Sequence, residues 1–473
     1  MTYSSYNQRP LQQRTVTRVQ DPSQAWFAQE EYWILLEDLM GGTAQMRKRH
    51  RKYLPQEPRE ADESYDNRLM RSTCPPYYQR LERLLAGMLT RKPVRLIDTS
   101  DTIREHLFDV DQQGNDLNVW TYETARVAVR YGHVGVLVDA PTDGGQPYWC
   151  TYTPRQILGW RTEKRDGKPV LTQLRLAEAT TVPDGDYGER TVDQVRVLTP
   201  GAYQLWRQDE KKDYELVDEG TTSLSEIPFS VAYTGRVGLL ESRPPMRDIA
   251  DLNLKAYQVQ SDLDNQLHIS AVPLLAFYAF PSSAEEVSAG PGEALAFPAE
   301  GRAEYIEPGG TSFEYQFKRL EQLAAQINEL GLSAVLGQKL SAETAEAKRI
   351  DRSQGDTTMQ VIAQNMQDAI DNCLRFHASY LGATEAAGSC MINRDFVGGI
   401  LQPDEINALL ALYTAGTITQ ETLLQRLADG EVLGDDFDVE AELEATAAAG
   451  LGMADGSLDR NANTPDTQPP PVA

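Results

Sequence analysis

The chain of 473 residues holds only four cysteines, Cys74, Cys150, Cys373 and Cys390, far apart and never in a C-x-x-C pair. That excludes a zinc ribbon or a disulfide framework as the basis of the fold, and a reducing compartment is expected. No apolar run approaches the ~18 residues of a membrane span, and the opening MTYSSYNQRP lacks the apolar core of a secretory signal. The expectation is a protein made in a cytoplasm, with no membrane partner.

Motifs of chemistry are missing too. No G-x-x-x-x-G-K-[ST] loop and no G-x-G-x-x-G helix start is present, so the buried strand GHVGVLVD at 132–139 does not read as a nucleotide site despite ending on Asp139. His50, His106, His133, His268 and His377 are distant in sequence and never spaced as in H-E-x-x-H; no metal site follows. There is no G-x-S-x-G elbow, and carboxylates are too abundant to single out a catalytic pair. No catalytic residue, cofactor or metal is assigned, and the chain is not expected to be an enzyme.

Cations are scarce: 45 Lys plus Arg face 70 Asp plus Glu, a net charge of -25. Such a surface disfavours simple grasping of nucleic acid. The imbalance is concentrated at the end, where residues 395–473 carry 15 acidic side chains against Arg426 and Arg460. Arg47, Lys48, Arg49, Arg51 and Lys52 form an early run of opposite sign, either a basic contact patch or a solvated helix end.

What is present is a hairpin with a small head, from 244 to 381. Ile249, Leu252, Ala256, Val259, Leu263 and Leu267 repeat at three- and four-residue spacing after Pro244 and Pro245, which suit a helix start. A returning helix carries Phe317, Leu320, Leu323, Ile327 and Leu330 and is expected to end at Gly331 as a C-cap. A third runs through Met359, Ile362, Met366, Ile370 and His377 to Leu381. Between the first two, 272–280, 294–298 and 303–306 read as short strands. A stalk of this kind needs neighbours to cover its apolar stripes.

Before the hairpin, helices are expected over 26–39, on both sides of Cys74-Pro75-Pro76, and twice within 103–131. Strands then follow to 234, with turns at Asp166-Gly167, Pro200-Gly201 and 209–213. After the hairpin, 403–412 and 419–427 read as helices, followed by an acidic piece and a polar tail. No internal repeat appears.

Several blocks resemble the portal proteins of tailed bacteriophages, in a sub-group often described only as phage proteins of unknown function. They are YDNRLMRSTCPPYYQRLERLLAGMLTRKP (65–93), DQQGNDLNVWTYETARVAVRYGHVGVLVDAP (111–141), PYWCTYTPRQILGWR (147–161), RDIADLNLKAYQVQSDLDNQLHISAVPLL (247–275), SAETAEAKRIDRSQG (341–355) and TAGTITQETLLQRLADGEVL (414–433). The resemblance implies an α+β portal fold with an α/β wing, a helical stem, a small strand-rich clip and an α-helical crown. It divides the chain into a flexible arm (1–24), wing (25–245), stem helix (246–271), clip (272–312), returning stem helix (313–331), tunnel loop (331–342), long helix and wing return (343–394), crown (395–450) and disordered acidic tail (451–473).

The resemblance further implies a ring, usually of twelve copies, at one capsid vertex in the virion, assembled in the host cytoplasm. Its partners would be the terminase large subunit, a head-tail adaptor, the major capsid and scaffolding proteins, and double-stranded DNA passing through without sequence preference. Asp251, Lys255, Asp262 and Gln266 would face the DNA channel from the stem, and Gly331, Gly337, Lys339 and Ser341 would belong to the tunnel loop. Lys339, its only cation, is either a ring of lysines at the narrowest point or an ordinary surface residue. Another head-tail connector or minor capsid component, or an enzyme with an unrecognised site, are the competing readings.

Overall fold

The structure, a computed structural model, describes residues 16–141, 144–271, 274–278, 302–306, 311–336, 345–382, 387–394, 396, 403–429, 432–433, 437 and 439–448. Most of the arm at 1–24, the strand expected at 294–298 and the tail at 451–473 lie outside these residues. The chain forms two compact units, Met1–Phe396 and Val397–Ala473.

Aromatic and leucine side chains at helical spacing build the first layer. Helix α1 (Gln24–Phe27) is capped by Ser23, whose hydroxyl accepts from the Trp26 amide. Helix α2 (Glu30–Met40) buries Trp33, Leu35, Leu36 and Leu39. Gly42, at φ 64°, takes a left-handed conformation that turns the chain into α3 (Gly42–Lys48). Pro75 and Pro76 separate α4 (Asp62–Arg71) from α5 (Tyr77–Leu89), because proline lacks the amide a continuing helix needs. A short strand β1 (Arg95–Ile97) and helix α6 (Asp101–His106) precede α7 (Leu117–Tyr131), which Asp116 caps at 2.8 Å through the Val119 amide.

Strands β2 (His133–Asp139) and β3 (Tyr148–Tyr152) lead into a five-stranded meander. It comprises β4 (Ile157–Arg165), β5 (Lys168–Asp184), β6 (Gly188–Thr199), β7 (Ala202–Gln208) and β8 (Tyr214–Thr221). Asp166 and Gly167 both have positive φ, 50° and 79°, the pairing that a two-residue hairpin requires. Strand β9 (Phe229–Tyr233) returns to β2, giving a three-stranded sheet of order β3-β2-β9. Every pairing between described strands is antiparallel. The expected α/β wing is therefore an α+β arrangement, since none of its described strands are paired in parallel.

A small ribbon of β10 (Arg236–Gly238) and β11 (Glu241–Ser242) leads into α8 (Arg247–Ser270). The hairpin β12 (Leu274–Tyr278) and β13 (Arg302–Ile306) follows, then α9 (Thr311–Leu336) and α10 (Ala345–Tyr380). Strand β14 (Ser389–Met391) comes back to pair with β1. The main core joins α2, α5, α7 and α10 to the β2 face through Leu36, Tyr78, Leu85, Ala128, Val136 and Ile370. A smaller core of Leu137, Ile157, Leu174, Leu176 and Phe229 lies between the two sheets.

The second unit contains α11 (Pro403–Thr414), α12 (Gln420–Asp429) and α13 (Val439–Ala448). Gly416, at φ 68°, turns the chain between the first two. The last helix falls in the acidic piece read from the residues and within the helical crown that the resemblance implies; Glu440 and Glu442 in its first turn favour it by opposing the partial positive charge of the helix start.

Candidate functional site

The hairpin of α8 and α9 is tied down at one end, and at the other it carries exposed apolar side chains among the described residues. Helix α8, with 24 residues, extends about 36 Å at 1.5 Å per residue. Its inner part buries Ile249, Ala250, Asn253, Ala256, Tyr257, Ser261 and Leu263. Asn253 ties it to the turn before α5: its Oδ1 accepts from the Tyr78 amide at 2.8 Å and its Nδ2 donates to the Pro75 carbonyl at 2.9 Å. The Tyr257 and Ser72 hydroxyls lie 3.1 Å apart, Gln258 donates to the Tyr53 carbonyl at 3.0 Å, and Arg71 donates to Asn265 at 2.9 Å.

Beyond Gln266 the cover thins. Ile269 is 62% exposed, and on the facing arm Tyr315 is 74% and Phe317 48% exposed. The α9 residues nearer the core, Leu323 and Ile327, are fully buried. A single chain thus holds large apolar side chains in water at the outer end of the stalk, where each would gain about 1.5–3 kcal/mol on full burial.

The buried stripe of α9 differs from the expected one. Phe317 and Leu330 are exposed, while Leu323, Ile327 and Gly331 are buried. Gly331 is not a C-cap, because the helix runs on to Leu336. A Cβ at Gly331 would lie 2.7 Å from both Leu81 methyl carbons, so any larger residue here would force Leu81 to shift where α9 meets α5. The expected tunnel loop therefore starts as helix over 331–336; Gly337, Lys339 and Ser341 lie outside the described residues. The long helix α10 spans Ala345–Tyr380, and residues 343 and 344 lie outside the described residues.

Of the proposed channel residues on α8, Asp251, Lys255 and Asp262 are exposed and Gln266 is half-buried. Asp262 stands 3.8 Å from the Arg68 guanidinium of α4, which turns that flank toward this chain's own α4. Parts of the basic run bond within the chain, while Lys48, Arg49, Arg51 and Lys52 remain exposed. Arg47 donates to the Ser72 carbonyl at 2.8 Å, Arg49 pairs with buried Asp38 at 2.7 Å, and Arg51 pairs with Asp62 at 2.9 Å. Lys52 lies over the Tyr53 ring and Lys48 is exposed. Three of the five expected contact residues thus fix α3 and the turn after it.

Burial would raise the Asp38 carboxyl, but hydrogen bonds from Arg49, Tyr53 and Gln45 outweigh it and hold the group below the usual range. Fully buried Glu82 receives Arg130 at 2.6 Å and Arg126 at 3.4 Å, joining α5 to α7. Asp139, the aspartate at the end of β2, pairs with Arg196 at 2.9 Å, and Arg196 also meets Glu178 at 2.7 Å. Its role there is structural, clamping the two sheets. His106 Nδ1 and His377 Nε2 lie 3.0 Å apart, and burial lowers His377 to about 4. Burial pushes the Cys74 and Cys150 thiols up to about 12, and those of Cys373 and Cys390 upward as well, so none is a ready nucleophile. Among the described residues no group of three His, Cys, Asp or Glu is placed to hold a metal, and no helix is long and apolar enough to cross a membrane.

Sequence reasoning missed Asn253. Its signal was available: a lone amide on the Ile249/Ala256 face of an apolar helix demands a buried partner.

A family described as Domain of unknown function (DUF4055) matches residues 245–381, the stalk and the helix that follows it. No curated protein matches the chain. Among solved structures it is similar to a chain in the neck of an empty GTA particle computed with C6 symmetry, at 14% identity and TM-score 0.41, covering 75% of this chain and 90% of that one. A chain from the virion of a native gene transfer agent (GTA) particle gives 12% identity and TM-score 0.42, covering 75% and 90%. A chain from the neck of a native GTA particle computed with C12 symmetry gives 14% identity and TM-score 0.42, covering 78% and 93%.

Proposed function

We propose that the protein is a bacteriophage portal: a ring of copies at one vertex of the capsid, whose channel passes DNA during packaging and ejection. The observation that carries this reading is the stalk, held to the wing by Asn253 and Tyr257 but ending in exposed Ile269, Tyr315 and Phe317. Copies arranged head to tail would cover those side chains with one another, since a cyclic contact joins two different faces of the same chain. The ordered sequence blocks that resemble portal proteins support it, as does their agreement in place with the stalk. An acidic chain is also suited to a channel through which a polyanion must slide without being gripped.

In this role the protein performs no catalysis. It docks the terminase large subunit, which supplies the work of packaging, and later a head-tail adaptor, and it meets capsid and scaffolding proteins from its place in the virion. Negative-stain imaging of the purified full-length chain tests the reading. Rings roughly a hundred ångströms or more across with a central hole are expected from a dozen chains of this size; single chains or closed dimers would overturn it and favour a minor capsid component.

A further inference from the structure

Two exposed surfaces of the first unit carry opposite charge. On α5, Arg80 and Arg83 stand on the solvent side and have no ion-pair partner among the described residues. Leu84 beside them is 43% exposed, and the space over Gly87 is open. The opposite face of the helix is committed inward through Tyr78, Leu81, Leu85 and Leu89.

On the sheet, β8 is an edge strand, hydrogen-bonded to β7 alone among the described strands. Glu215, Asp218 and Glu219 are exposed on it, around Leu216 at 42% and Val217 at 46% exposure. Among the described residues Asp218 accepts only from the Tyr203 hydroxyl at 3.2 Å and Glu219 only from Gln204 at 3.4 Å, while Glu215 lies opposite Arg207 in register. An open edge with two adjacent apolar residues is a template for unwanted strand pairing, and covering it with a helix removes that hazard.

We propose that α5 of one copy docks on the β8 edge of the next, with Arg80 and Arg83 against Glu215, Asp218 and Glu219, and Leu84 against Leu216 and Val217. The proposal rests on the ring reading above and specifies the contact that closes it. Charge complementarity selects a second copy as the occupant: one chain carries both halves of a mixed ionic and apolar patch, on two different faces, as a head-to-tail contact requires. Duplex DNA is the poorer match, because Leu84 gains nothing against phosphate and the stripe holds only two unpaired arginines.

The test uses two full-length variants, Arg80→Glu/Arg83→Glu and Glu215→Arg/Asp218→Arg, with mass measured by light scattering at fixed ionic strength. Each alone is expected to lose at least ten-fold of the assembled species. An equimolar mixture is expected to regain it, because alternating copies then present opposite charges at every contact. Failure of the mixture to reassemble overturns the proposal, as does wild-type assembly by either variant alone; in the second case the ring reading survives. Loss of duplex DNA retention by the arginine variant with assembly intact would make the stripe a DNA contact and also overturn it. A wild-type chain that runs as a single copy refutes the ring itself. Restoration in the mixture also shows that both variants fold.

Discussion

Gly331 offers a sharp test of how the stalk is held. Substituting alanine adds one methyl group, 2.7 Å from both Leu81 methyl carbons and 3.3 Å from its Cγ. Leu81 is 5% exposed, so a rotation that clears the space pushes its methyls against other core side chains. Overpacking of this kind costs about 1–3 kcal/mol, while alanine in a helix interior returns up to about 1 kcal/mol over glycine. Gly331→Ala is thus expected to be neutral to destabilising, by about 0–2 kcal/mol net. Leu81→Ala alone should cost about 2–5 kcal/mol through the cavity it opens.

The double variant is the informative one, because the new methyl sits in the space the leucine vacated. Its cost should fall below the sum of the two single costs by about 1–3 kcal/mol, the coupling expected of side chains in contact. Urea-induced unfolding of the full-length chain, read from the shift of the transition that the Leu81 variant displaces, supplies the numbers. Strict additivity, or stabilisation by Gly331→Ala alone, would refute the close approach of α9 to α5.

Three further outcomes are expected. Glu82→Ala leaves the Arg126 and Arg130 guanidinium groups without their shared, fully buried carboxylate, and a loss of about 3 kcal/mol is expected in thermal unfolding; a change near zero would mean that the triad holds nothing. Burial lowers His133 and His377 to about 4, so between pH 6.5 and 4 the unfolded chain binds protons that the folded chain refuses. Stability is therefore undiminished by these groups above pH 6.5 and falls as pH drops toward 4, by up to about 3 kcal/mol each; melting curves across that window should flatten for His377→Gln, and an unchanged slope would contradict its buried neutral state. Ile269→Asp, at a site largely exposed in one chain, should leave single-chain stability within about 0.5 kcal/mol yet abolish assembly in sedimentation, and normal assembly would remove the stalk tip from the interface.

Local rules placed much of the fold. Pro75 and Pro76 had to interrupt a helix, Asp166 and Gly167 had to turn a hairpin, and the spacing from Ile249 to Leu263 had to present one apolar face. Each depends on residues within a few positions of one another, which is why the α+β class and the stalk were legible in the residues themselves. The competing uses of a residue were not. Gly331 reads equally as a helix stop or as a point of close approach, and only the position of Leu81, 250 positions away along the chain (331 against 81), decides between them. Sequence alone does not show that Arg47, Arg49 and Arg51 bond to Ser72, Asp38 and Asp62, although Arg49 and Arg51 stay exposed beside Lys48 and Lys52. The sequence by itself determined the elements, their apolar faces and the excess of negative charge. Tertiary structure decided which polar groups are spent inside the fold and where the stalk stops being covered, because both depend on partners distant along the chain and brought together only by packing.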